Sequence, residues 1–267
     1  MKKYIHFRGK KIFYSESGGG QVLILIHGYL ETGESWNGFA KKLSDKFRVI
    51  VVDLPGHGNS DIYDEVHSME FLATVLEGLL NALGIEKAFL VGHSLGGYAA
   101  LAFVELFPNR LTGYCLFHSH PFADTPETLQ KREREILIVK AGKKFLMYPD
   151  NVRRMFTDSN ILKMPDALER AKRIASAITA EGITAVLNGM MKRPSRLAIM
   201  VAGVVPCLWI LGSMDNYIPC EAMKERVKLP PNAELLILEK SGHLGFIEEE
   251  ERSAEAITKF IARLTTH

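Results

Sequence analysis

Short, continuous apolar runs bounded by turn residues recur along the chain at 22–26, 49–52, 89–91, 114–117, 208–211 and 235–238. Runs without polar alternation suit parallel strands buried on both faces. An earlier segment, 11–14, predicts a leading strand ended by the Ser-Gly-Gly-Gly turn at 17–20. Between strands the period changes. Leu72, Val75, Leu76, Leu79, Leu80 and Leu83 fall three and four apart, predicting a helix packed on a sheet. Ser68 is its expected N-cap and Gly84 its stop. Residues 101–107, ending before Pro108, and 257–264 predict two further helices. Strand and helix in alternation imply an α/β fold with a doubly wound, mostly parallel sheet.

One region breaks the alternation. From 121 to 194 no convincing strand is found, only helical patterns at 127–139, 152–156, 166–178 and 184–191. A helical block between two strands cannot join the sheet, so it must cover an edge or an end, and ligands bind at the end of open α/β sheets. The expected division is therefore a core domain of residues 1–120 and 195–267 with a helical cap inserted at 121–194.

Composition narrows the class. With 47% hydrophobic and 24% charged residues in 267 positions, the chain has an ordinary soluble composition and enough length for a substantial core. A formal net charge of +2 gives no case for nucleic acid or an anionic membrane as partner. The apolar runs are strand-sized, so no membrane span is expected, and the amino terminus lacks a signal-peptide core. Cys115, Cys207 and Cys220 are scattered and odd in number, as in a reducing compartment. These features predict a cytoplasmic protein, and they leave its oligomeric state open.

The chemistry starts at Val91-Gly92-His93-Ser94-Leu95-Gly96-Gly97. A serine between two close glycines, after an apolar run and before a helix, is the G-x-S-x-G pattern of an exposed nucleophile on a tight turn. Serine needs a base, and the base needs an orienting acid. Of nine histidines only His243 lies in a loop between the last strand and the last helix. Asp215, directly after the run at 208–211, is the expected acid; Asp124 is its competitor. Gly28 lets the chain turn back after the strand at 22–26, so the N–H groups of Tyr29 and Leu95 are the expected oxyanion donors. Tyr29, His118, Met147, Met155 and Leu244 are the expected substrate-binding residues. His118-Ser119-His120 has H-x-H spacing without a third ligand pattern, so pocket-lining or structural roles are expected there and no metal. No phosphate-binding or dinucleotide motif is present, and no cofactor is expected.

The segments HGYLETGESW (27–36), DLPGHGNSD (53–61), VGHSLGG (91–97), LGSMDNYIP (211–219) and SGHLGFIEEEE (241–251) together resemble the α/β-hydrolase family over essentially the whole chain. The resemblance implies a Ser94–His243–Asp215 triad, an acyl-enzyme and a cap over the site. Ser94 sets the chain apart from epoxide hydrolases and haloalkane dehalogenases, which use an aspartate there. Hydrolysis of a small ester is the leading expectation. A lyase like the pyruvate-eliminating enzyme of menaquinone synthesis, a C–C bond hydrolase and a slowly turning-over ligand receptor remain alternatives. Residues 121–196 hold 15 Lys and Arg against 9 Asp and Glu, but also many methionines. Adaptable methionines predict a preference for neutral short-to-medium acyl esters over anionic ones.

Overall fold

The computed structural model describes residues 2–264, with side chains from 3 onward. Eight strands form one sheet: β1 (Lys2–Phe7), β2 (Lys10–Ser17), β3 (Val22–Ile26), β4 (Arg48–Val52), β5 (Ala88–His93), β6 (Leu111–Phe117), β7 (Cys207–Gly212) and β8 (Ala233–Leu238). Their spatial order is β1-β2-β4-β3-β5-β6-β7-β8; β2 runs antiparallel to β1 and β4, and β3 to β8 are mutually parallel. The expected apolar runs coincide with the parallel strands because β3, β4, β5 and β7 are buried along nearly their whole length. β1, absent from the sequence expectation, is an edge strand: Ile5 is buried while Tyr4 is exposed. Its alternation over six residues includes three polar positions, too weak a pattern to stand out.

The core helices are α1 (Asn37–Leu43), α2 (Met69–Ala82) and α3 (Leu95–Leu106). Ser68 caps α2, its side chain accepting from the Phe71 N–H, and Gly84 follows in the left-handed region at φ 62°. Both match the expectation. The block between β6 and β7 contains α4 (Pro126–Lys140), α5 (Tyr148–Arg153), α6 (Asp158–Lys163), α7 (Pro165–Ala177) and α8 (Ala180–Lys192), then α9 (Leu197–Ala202). It pairs α4 with α8 and α5 with α7. α8 rests on the loop before α2: the His67 N–H donates to the Ala185 carbonyl at 2.9 Å, and a Cβ on Gly189 would lie 1.8 Å from the His67 carbonyl oxygen. Only glycine allows that approach. After β7 come α10 (Cys220–Arg226), α11 (Gly245–Glu248) and α12 (Glu250–Leu264). α3 packs on β5, β6 and α2, and α12 packs on α1, β6 and β8. Among the described residues no single helix is long and apolar enough to cross a membrane.

Candidate active site

Because β3 to β8 are parallel, their carboxyl ends share one edge of the sheet, and the loops leaving them converge there. β5 delivers Ser94, β6 delivers His118, β7 leads to Asp215 and β8 to His243. Ser94 has φ 48° and ψ −110°, a conformation that L-residues rarely adopt. The turn survives because its neighbours lack side chains. A Cβ on Gly92 would lie 2.3 Å from the Gly96 carbonyl oxygen, and one on Gly96 would lie 2.3 Å from that of Ile26. The Ser94 N–H donates to the Phe117 carbonyl at 3.0 Å, so β6 braces the bend.

His243 is buried, and its Nδ1 lies 2.7 Å from Oδ2 of Asp215. The other carboxylate oxygen, Oδ1, accepts from the N–H groups of Tyr217 at 2.8 Å and Ile218 at 3.0 Å. Burial alone would push the Asp215 carboxyl up, but the adjacent imidazoles of His243 and His118 hold it far below the usual carboxylate range. For His243, burial works against the cation, yet the Asp215 carboxylate outweighs it and raises the imidazole above its ordinary 6.5. An aspartate beside Nδ1 leaves Nε2 for the cavity, as a base requires.

Tyr29 and Leu30 follow β3 beside the same opening, with Leu30 at φ 62°. Neither the Tyr29 N–H nor the Leu95 N–H meets an acceptor among the described residues. The preceding Gly28 N–H donates to Oε2 of Glu31 at 2.9 Å, which ties the loop down. His27 is consumed structurally: its Nδ1 donates to the Gly28 carbonyl and its Nε2 accepts from the Leu54 N–H. His57 is buried away from the opening, and burial pushes its imidazole down to about 3. His93, next to the serine in sequence, points away from it. Its Nε2 donates to the His243 carbonyl at 2.8 Å, while its Nδ1 sits 2.9 Å from Oε1 of Glu31.

Ser94 and His243 line one cavity of about 760 Å³ beneath the helical block, a size suited to a small organic ligand. Tyr29, Met147 and Met155 are on its wall, together with Met190. Two other expected contacts are not. His118 is fully buried behind Asp215, its Nδ1 3.3 Å from Oδ2, because β6 and β7 are neighbours and bring their ends together. Leu244 is turned into a separate small void with Leu30, Val152 and Ile247, since the chain dives into α11 directly after His243. Asp124 lies elsewhere on the cavity wall and is engaged by Arg132 at 2.7 Å and Arg193 at 2.7 Å. Among the described residues, the tightest grouping of ligating side-chain types is His118, Asp215 and His243. Both imidazoles there turn Nδ1 toward the carboxylate, an arrangement that hydrogen bonding fully accounts for.

Two carboxylates were not anticipated. Glu135 of α4 enters the cavity and accepts from the Tyr29 hydroxyl at 2.7 Å; burial pushes its carboxyl up. Glu248 of α11 accepts from the N–H groups of Thr157 and Gly242, each at 2.8 Å, and from the Asn160 amide at 2.9 Å. It pins the His243 loop to residues 157–160. The sequence offered only a run of four glutamates at 248–251, in which nothing marks the first as buried.

A sequence model of the alpha/beta hydrolase fold matches residues 21–134. The chain is 28% identical to a 2-hydroxy-6-oxononadienedioate/2-hydroxy-6-oxononatrienedioate hydrolase of Paraburkholderia phymatum, over 95% of this chain and 91% of that protein. It is also 28% identical to a pimeloyl-(acyl-carrier protein) methyl ester esterase of Vibrio cholerae, over 94% of this chain and 98% of that protein. Among solved structures, a thermophilic esterase from Thermogutta terrifontis, with malate bound, matches with a TM-score of 0.93 and 29% identity, covering 99% of each chain. That agreement spans nearly all of both chains, and the chain has the α/β-hydrolase fold and resembles hydrolases and esterases of that family.

Proposed function

We propose that the chain is a serine hydrolase that cleaves small esters through an acyl-enzyme, with residues 121–194 as the cap over the site. The supporting observation is that a strained Ser94 opens onto the same cavity as His243, whose Nδ1 is 2.7 Å from a buried aspartate. Ser94 Oγ attacks the ester carbonyl while His243 Nε2 takes its proton. The tetrahedral oxyanion accepts from the N–H groups of Tyr29 and Leu95. Collapse expels the alcohol, which leaves with the proton from His243. Water, deprotonated by the same imidazole, then attacks the acyl-enzyme, and the acid departs as Ser94 regains its proton. Asp215 holds the ring and stabilises its cation throughout.

The charge of the cavity wall favours an acid-bearing substrate, contrary to the expectation from the methionines. Lys131, Arg132, Arg134, Arg154 and Arg226 line it. Of its two carboxylates, Asp124 is shared between two guanidiniums and Glu135 is pushed toward its neutral form. The net potential facing a ligand is positive. The Paraburkholderia relative is named for a dioate substrate, and the Thermogutta esterase was solved with malate, itself a dicarboxylate; both agree with this reading. The Paraburkholderia relative also keeps carbon–carbon bond hydrolysis as a second reading, since the same base and oxyanion donors would serve it.

The experiment is labelling with an organophosphonate followed by peptide mapping, alongside turnover of a panel of acyl esters by Ser94→Ala. The label is expected on Ser94, and the alanine variant is expected to fold but lose turnover. Labelling elsewhere, or an active alanine variant, overturns the proposal.

A further inference from the structure

His118 directly follows β6 with a left-handed backbone, φ 46°. Its ring is fully buried and closely confined: a Cβ on Gly212 would lie 2.7 Å from Cε1, and one on Gly245 would lie 2.7 Å from Nε2. Nδ1 is 3.3 Å from Oδ2 of Asp215, the same oxygen that His243 Nδ1 approaches at 2.7 Å. A carboxylate oxygen only accepts, so both imidazoles present an N–H to it. The His118 proton therefore sits on Nδ1, and the bare Nε2 finds no partner among the described residues. Burial pushes this imidazole down to about 4, so it stays neutral near pH 7. An unpartnered buried nitrogen costs stability, and packing alone would favour an apolar side chain in its place.

We propose that His118 is a positioning residue for the acid of the triad, its Nδ1–H holding Oδ2 of Asp215 in line with His243. The inference rests on the Ser94–His243–Asp215 reading. Oδ1 is fixed by the Tyr217 and Ile218 N–H groups, whereas among the described residues Oδ2 would otherwise be held by His243 alone, the ring whose charge changes during turnover. A donor on Oδ2 would also draw electron density from it and so moderate the pull of Asp215 on the His243 proton. The other groups facing His243 do not substitute for it. His93 donates to the His243 backbone carbonyl and packs ring to ring with it at 4.8 Å, with Glu31 behind it, but reaches no oxygen of Asp215; Glu248 holds the neighbouring Gly242 N–H; Tyr217 lies ring to ring at 5.2 Å.

The test compares His118→Ala with His118→Asn, whose amide tolerates positive φ and can donate from the position of Nδ1. The alanine variant is expected to lose about ten-fold in kcat with KM little changed, as for a lost bond to a charged group. Its kcat/KM inflection should move to higher pH, because an unmoderated Asp215 binds the His243 proton more tightly. The asparagine variant should recover kcat to within about two-fold and return the inflection toward its original place. His118→Leu, which fills the space without a donor, replaces the alanine variant if that fails to fold. Equal kcat in the donor and non-donor variants, with the inflection unmoved, overturns the inference. Phosphonate labelling of Ser94 in the unmodified protein separates the two failures: without it the triad reading falls, and with it only the role of His118 does.

Discussion

At the sheet edge, Ser94, Asp215 and His243 sit on short loops gripped by backbone hydrogen bonds, with Asp215 and His243 buried. Across the cavity the helical block presents Lys131, Arg134 and Arg154, long and exposed side chains. Under the proposed reaction the first arrangement pre-orients the groups that handle charge in the transition state, so changes there should appear in kcat. The second supplies field and contact area, so changes there should appear in KM and in substrate preference. The comparison can be broken at both ends.

The largest effect is expected at the acid. Asp215→Asn should lower kcat by about 10²–10⁴, as when the acid of a triad is neutralised. Asp124→Asn, on the cap side, should instead lower Tm and raise KM, because it leaves two guanidiniums without their shared partner. Steady-state kinetics on both variants decide the matter, and a kcat ranking in the reverse order would move the acid to Asp124. A smaller change belongs to the cap wall. Arg132→Met leaves the Asp124–Arg193 pair in place and removes one cation from the cavity. We expect KM for a carboxylate-bearing ester to rise about ten-fold while that for the matched neutral ester holds, a difference that added salt should shrink. If the unmodified protein instead prefers neutral esters at every salt concentration, the wall does not select by charge.

The most modest test is the pH profile. His243 must be neutral to accept a proton, and its folded-state pKa is raised by Asp215. kcat/KM should therefore climb as pH rises, inflect above the ordinary 6.5 and then level off. An inflection below that value would mean that burial, not the carboxylate, governs the ring.

The leading strand shows what was legible locally. The expected strand at 11–14 lies within β2, Lys10–Ser17, where Ile12 and Tyr14 are buried, while the ends are exposed or half-buried and carry no apolar signal. α12 begins at Glu250, seven residues before the expected start, because its first turn is Glu-Glu-Arg and only the later part shows an apolar stripe. In the cap, helices expected at 127–139 and 184–191 appear as Pro126–Lys140 and Ala180–Lys192, yet α6 went unanticipated, since a single six-residue turn has no periodicity to read.

Chemistry divides along the same line. Ser94, Asp215 and His243 could be picked out one at a time, because each follows its own apolar run and a parallel sheet sends all such loops to one edge. The parallel strands, the tight turn at Ser94 and the order in which these residues arrive were readable from the chain alone, because each depends on neighbours a few positions away. Which strands lie side by side was decided only in three dimensions. The adjacency of β6 and β7 placed His118 behind Asp215 instead of in the cavity, and the entry into α11 buried Leu244. The pairing of Asp124 with Arg132 and Arg193 likewise joins residues up to 69 positions apart. Hydrophobic period is a local property of the chain, whereas a buried charge or imidazole takes whatever partner the packing brings, and no local pattern records that choice.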